Sequence, residues 1–108
     1  RNYTADGHRL WGAPGAWIAY HVTGRIIAVR IYAFGEQAEA ALEFFAGSEP
    51  GKGDALTART QDFYAGKEMY NFRRPRLFTL AGVPGDGSAL TIRFQKDSQI
   101  SRVEIEYQ

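Results

Sequence analysis

The sequence contains no cysteine, which removes disulfides, thiolate nucleophiles and Cys-based zinc sites together. An excess of one charge is also missing. Thirteen basic residues stand against 12 acidic ones, a formal net charge of +1, whereas a nucleic-acid binder ordinarily carries a basic excess or stripe. No apolar run approaches the roughly 20 residues that cross a bilayer as a helix. Nucleic acid and membrane are therefore not expected partners. The chain opens at Arg1 without an initiator Met, as expected of a domain taken from a longer protein, so an export signal would belong to the parent.

The parts that catalysis needs are equally sparse. His8 falls in a loop and His21 in a strand, with no spacing that makes a metal pair. The glycine runs lack the Lys-Ser/Thr ending and strand-to-helix context of a phosphate loop. The acidic residues are scattered, and Glu104 and Glu106 sit on the outward face of the last strand as a solvated pair would. An enzyme is not expected.

What is present is a β-rich chain of 108 residues, 44% hydrophobic and 14% aromatic, enough for one core and one domain. Its centre is the run Arg25 to Phe34. There Ile27, Val29, Ile31 and Ala33 alternate with Ile26, Ala28, Arg30, Tyr32 and Phe34, as expected where one face is core and the other only partly covered. Trp17 to Val22 precedes it through a tight Thr23-Gly24 turn, which reads as a hairpin. Residues Arg1 to Gly15 hold Gly7, Gly12, Pro14 and Gly15 and read as a loop. Glu36 to Gly47 is ambiguous: Ala38, Ala41, Leu42 and Phe45 fit a helical stripe, but Leu42, Phe44 and Ala46 alternate, and a loop over 36–39 with a strand over 40–46 is the favoured reading. Leu56 to Phe63 reads as one strand with Thr57, Arg59 and Gln61 outward. Tyr70 to Leu80 is another, with Pro75 predicting an edge strand or a bulge. Leu90 to Gln95 and Arg102 to Tyr107 alternate cleanly. Short strands joined by Gly/Pro loops predict an all-β antiparallel β-sandwich, with Ile27, Val29, Ile31, Leu90, Ile92, Phe94, Val103 and Ile105 in its core; a closed barrel is the alternative.

Taken in order, Trp17-Ile-Ala-Tyr-His-Val22, Ile26 to Tyr32, Leu42 to Ser48, Ala89 to Phe94 and Ile100 to Tyr107 resemble galactose-binding-like, or discoidin-like, jelly-roll β-sandwich modules. The likeness runs from Ala16 to the C-terminus and departs at Ser48, where Glu49-Pro-Gly-Lys replaces the Asp-Gly turn and Trp that related modules often carry. It implies a secreted, extracellular setting beside the catalytic domain of a glycoside hydrolase or polysaccharide lyase. The implied role is a non-catalytic carbohydrate-binding accessory module, with a polysaccharide or oligosaccharide as partner. A structural spacer packed on the catalytic domain and a discoidin-like adhesion module are the other roles such modules take. Some members hold a structural calcium, for which Glu36, Glu39 and Asp97 are the available ligands; no other cofactor is implied.

Sugar binding asks for flat aromatic faces and long polar side chains. If every strand reverses direction, the Gly24, Pro50 and Pro84 loops lie at one end, and the N-terminal loop, 36–39, 64–69 and 96–99 at the other. The second end gathers His8, Arg9, Trp11, Tyr64, Lys67, Tyr70 and Lys96. The candidate site is therefore Trp11 with Tyr64 and Tyr70 as stacking surfaces and Arg9 and Lys67 as hydroxyl or acid contacts, while a core plug is the alternative role for Trp11. Arg73-Arg74-Pro75-Arg76 is the one basic cluster, suited either to protecting an edge strand or to contacting an anionic polysaccharide.

Overall fold

Alternation along the central run produces the expected division of faces. In the computed structural model, which describes residues 1–35, 41–62, 74–84 and 87–108 and omits the side chains of 6–9, 35, 62, 74 and 75, Val29, Ile31 and Ala33 are wholly buried. They lie on β3 (Ile26–Gly35), the middle strand of a five-stranded antiparallel sheet. The order of that sheet is β1 (Asn2–Gly12), β9 (Ser98–Tyr107), β3, β7 (Arg74–Leu80), β6 (Arg59–Asp62). A four-stranded antiparallel sheet, in the order β2 (Trp17–His21), β8 (Ala89–Phe94), β4 (Leu42–Ala46), β5 (Ala55–Leu56), packs against it. No helix occurs among the described residues. The chain is an all-β antiparallel sandwich.

The core is continuous between the sheets. Val29, Ile31, Phe78, Val103 and Ile105 from one meet Phe44, Leu90, Ile92 and Phe94 from the other, and the rings of Phe44 and Phe78 lie 5.4 Å apart between centroids. Each such side chain contributes roughly 1.5–3 kcal/mol on burial. β4 is a strand, as favoured, because Leu42, Phe44 and Ala46 stand opposite Phe94, Ile92 and Leu90; positions 36–40 lie outside the described residues.

Thr23-Gly24 does not close a hairpin: β2 pairs with β8, whereas β3 lies between β9 and β7, so the turn carries the chain from one sheet to the other. Gly24 is required there by close approach, since a Cβ would collide with the Gln108 carbonyl, which accepts from the Arg25 amide at 3.0 Å. The N-terminal segment is not a loop but an 11-residue edge strand. Its glycines are absorbed where the ladder slips between Asp6 and Leu10 and where Gly12 passes over Phe94, whose ring occupies the space of a Cβ. Ile27 is only partly buried, because an irregularity between Ile26 and Ala28 turns Ile26 inward instead.

The run 56–63 is not one strand: Leu56 pairs with Phe44 in the four-stranded sheet, and Arg59 pairs with Thr79 in the other. The chain crosses between the sheets at Thr57 and Ala58, and Thr57, Arg59 and Gln61 are exposed as expected. β7 is not an edge, since β6 covers it from Arg76 to Thr79; Pro75 lies one residue beyond that pairing, opposite Phe34. Positions 70–73, expected in the same strand, lie outside the described residues.

Val29→Asp would place an unpaired charge in the fully buried centre of the core. The variant should be unfolded by circular dichroism, and a soluble, cooperatively melting protein would contradict the packing. Gly12→Ala should fold but lose about 1–3 kcal/mol in urea denaturation, the usual cost of overpacking, because the buried Phe94 ring must move.

Candidate functional site

The five-stranded sheet turns its second set of side chains away from the core, and cross-strand partners share a face. Leu10, Ile100 and Ala33 form an inward row packed in the core. Their neighbours therefore face out. One outward row, at the end where β1 finishes, contains Trp11, Gln99 and Phe34; the next contains Arg102, Tyr32, Leu77 and Gln61; the third contains Thr4, Glu104, Arg30, Thr79 and Arg59. Trp11 is 55% exposed, while Gln99, flanked by Trp11 and Phe34, is only 7% exposed despite its outward register. Tyr32 and Phe34 are half-buried. Three aromatic rings thus lie on neighbouring positions of one sheet face.

Glu104 organises the polar part of the same face. Its Oε1 accepts from Arg30 Nε at 2.8 Å and from the Tyr32 hydroxyl at 3.3 Å, and its Oε2 accepts from Arg102 Nη2 at 2.8 Å and Nε at 3.1 Å. The hydrogen bond from Arg30, reinforced by Arg102, holds the carboxyl below the ordinary glutamate range against partial desolvation. Burial raises the Tyr32 hydroxyl, and the charge of Glu104 raises it further. Beside this network Asn2, Thr4, Arg30 and Glu104 line a polar hollow of about 150 Å³. The face can therefore stack a flat apolar surface and offer fixed donors and an acceptor to hydroxyls.

Of the residues expected at the site, Trp11 takes its place in β1 on this face, not in a loop. Arg9 also belongs to β1, within the slipped part of the ladder, and its side chain is not among those described. Tyr64, Lys67 and Tyr70 lie outside the described residues; the flanking strand ends, Asp62 and Arg74, are at the same end of the sheet as Trp11. Sorting to two ends holds for the turns at 13–16 and 95–97 against those at 22–25 and 47–54, but not for the N-terminal segment as a whole, which runs the length of the sheet from Arg1 beside Tyr107 to Gly12 opposite Ser98. Gly15 donates to the Phe94 carbonyl at 2.8 Å and Gln95 to that of Ala41 at 2.7 Å, whereas Val22 donates to Ser88 at 2.9 Å and Gly47 to Ala89 at 3.0 Å. Arg76 takes an inward register and donates to Thr60 Oγ1 at 3.0 Å, so it does not extend an outward basic patch.

Sequence reasoning overlooked Tyr32, Phe34, Gln99, Arg30, Arg102 and Glu104 as a group. The signal was the even positions of the central run, where Arg30, Tyr32 and Phe34 recur with period two on the face opposite the core. Other features offer less. A cleft of about 270 Å³ between β4–β5 and β6–β7 combines Leu42, Phe44, Leu56, Ala58 and Phe78 with Glu43, Thr57 and Thr60 but presents no exposed aromatic ring, and a shallow one of about 380 Å³ lies at Arg25–Ile27 and Ala81–Pro84. Among the described residues no three His, Cys, Asp or Glu side chains cluster as metal ligands. Asp97 is exposed, and Glu36 and Glu39 lie outside the described residues.

A lowered folded-state pKa means that the stability supplied by ionised Glu104 is fully present above the unfolded value, about 4.3, and is lost as pH falls through the folded value. Glu104→Gln should lower neutral-pH stability by about 1 kcal/mol or less, as partly exposed ion pairs do, and should flatten the acid loss below about pH 4.3. Urea midpoints measured across that range check both effects; an unchanged acid slope would show that the network adds no net stability.

No family model, no curated protein and no solved structure matches the chain.

Proposed function

We propose that the chain is a non-catalytic carbohydrate-binding module, of the galactose-binding-like kind, serving a secreted polysaccharide-degrading enzyme. The observation that carries this reading is the outward aromatic cluster of Trp11, Phe34 and Tyr32 beside the Arg30–Glu104–Arg102 network. Aromatic faces suit the apolar side of a pyranose ring, and a carboxylate held by two guanidiniums presents hydrogen-bonding groups in fixed directions.

The same network argues against glycoside hydrolysis on this face. A glycosidase needs one carboxylic acid kept protonated at working pH, and the hydrogen bond from Arg30 drives Glu104 the other way. A structural spacer is the second reading, favoured by the half-buried state of Phe34 and Tyr32, which suits docking against a neighbouring domain. For a discoidin-like adhesion module, apolar loop tips would be the expected contact; the 47–53 loop instead carries Ser48, Glu49 and Lys52, with Lys52 and Glu49 paired at 2.9 Å.

Weak binding is expected: a Kd near 1 mM corresponds to about −4 kcal/mol, of which stacked rings are a large part. Affinity electrophoresis through gels of neutral β-glucan, galactan and polygalacturonate should retard the wild-type chain in at least one. Trp11→Ala should weaken that retardation at least about tenfold, equivalent to about 1.4 kcal/mol, with an unchanged melting temperature. Retardation in none of the gels favours the spacer, and an unfolded Trp11→Ala variant makes Trp11 a structural plug.

A further inference from the structure

We propose that the opposite face of the sandwich carries a second, neutral-glycan site built on Trp17, so that the domain is bivalent; the inference rests on the carbohydrate reading above. Trp17 is the first residue of β2 and is 48% exposed. Its outward register follows from Ile18 and Tyr20, which pack into the core. The partner of Trp17 on β8 is Arg93, and the partner of Arg93 on β4 is Glu43. An indole, a guanidinium and a carboxylate therefore occupy one row across three strands, a span of about 10 Å at the usual strand spacing.

The guanidinium is held from two sides. Arg93 Nε donates to Glu43 Oε1 at 2.7 Å, and Arg93 Cζ lies 5.0 Å from the centroid of the Phe45 ring. Phe45 is itself buried on this outward register. The bond to Glu43 engages Nε, so the fork's terminal amino groups are available in a fixed orientation to a ligand hydroxyl. Because Glu43 already neutralises Arg93, the row offers a uronate carboxylate little net attraction, whereas the hydroxyls of a neutral sugar need none.

Composition repeats between the two faces. Each combines an exposed Trp, an arginine–glutamate pair and a second ring. The two tryptophans flank one short turn, tied down where Gly15 donates to the Phe94 carbonyl at 2.8 Å, and so lie at the same end of the sandwich on opposite faces. A single glycan chain lying along one face cannot engage both, whereas two chains can be bridged. That geometry predicts cross-linking, with retention on a dense matrix exceeding single-site affinity.

The test uses soluble β-glucan, galactan and polygalacturonate, and short oligosaccharides cut from whichever retards the wild-type chain. Calorimetry with the neutral oligosaccharide should give two sites per chain. The wild type should cloud a solution of the parent polysaccharide, and Trp17→Ala and Trp11→Ala should each leave one site and abolish the turbidity. Retention of Trp17→Ala on the immobilised polymer should fall on the order of 10²-fold through lost avidity. Arg93→Met, which keeps the aliphatic stem over Phe45, should also remove one site and serves if Trp17→Ala does not fold. One site in the wild type, unaltered by Trp17→Ala or Arg93→Met, would overturn the second site and leave the first standing. Binding to polygalacturonate alone would overturn its neutral character. Binding to no glycan would overturn the carbohydrate reading together with this inference.

Discussion

The constraint on which the rest depends is that β3 and β9 can bury only one of their two faces. Val29, Ile31, Val103 and Ile105 are consumed by the core, and strand geometry then commits Arg30, Tyr32, Arg102 and Glu104 to the opposite side. The candidate face is what that commitment leaves outside the core. A one-residue slip of either strand would exchange the two sets, so the aliphatic rows that stabilise the sandwich also set the alignment of Arg30, Glu104 and Arg102 across β3 and β9.

Much of this division is legible in the amino-acid sequence, because period-two alternation survives even where pairing partners are misjudged. Val29, Leu90, Ile92, Phe94, Val103 and Ile105 are identifiable as core from alternation alone, whereas the strand at Leu42–Ala46 falls within a stretch, 40–46, that a helical stripe fits as well. What escapes is set by contacts between distant segments. Nothing local announces that Gly12 lies over Phe94, that Gly24 meets the C-terminal carbonyl, or that Thr57-Ala58 changes sheets. Glycine in a strand looks like a breaker until the group that needs its space is known. The site follows the same pattern. Trp11 can be singled out as an exposed aromatic, but its companions Phe34 and Gln99 come from strands remote in sequence, and only the register joins them.

The buried polar atoms show what the sandwich tolerates. The Tyr20 hydroxyl is buried without a hydrogen-bond partner among the described residues, and burial, with a smaller effect of Tyr3, pushes it up to about 12. It stays neutral at any physiological pH. Its ring centroid is 6.4 Å from that of Tyr3, which links β2 to β1 along the side where each is the edge of its sheet. Ser98 Oγ, opposite Gly12, is likewise buried without a partner among the described residues. An unmet hydroxyl costs about 1–3 kcal/mol, so closing this side of the sandwich is not favourable in every contact, and the apolar rows must offset it.

That offset bears on how the aromatic rows are held. Trp11 and Trp17 stand on the edge strands of the two sheets, where half the backbone ladder is open and local opening is easiest. Three features counter this at their shared end: the Gly12 backbone against Phe94, the Gly15 amide on the Phe94 carbonyl, and the Phe94 amide returning to Ala16 at 2.8 Å. All three converge on one core residue of β8. Phe94 therefore couples the two edges, and through them the two faces, to the centre of the sandwich. The arginine–glutamate pair of each face lies on its own sheet, but both edges are tied to the one residue Phe94, through its ring at Gly12 and through its backbone at Gly15 and Ala16.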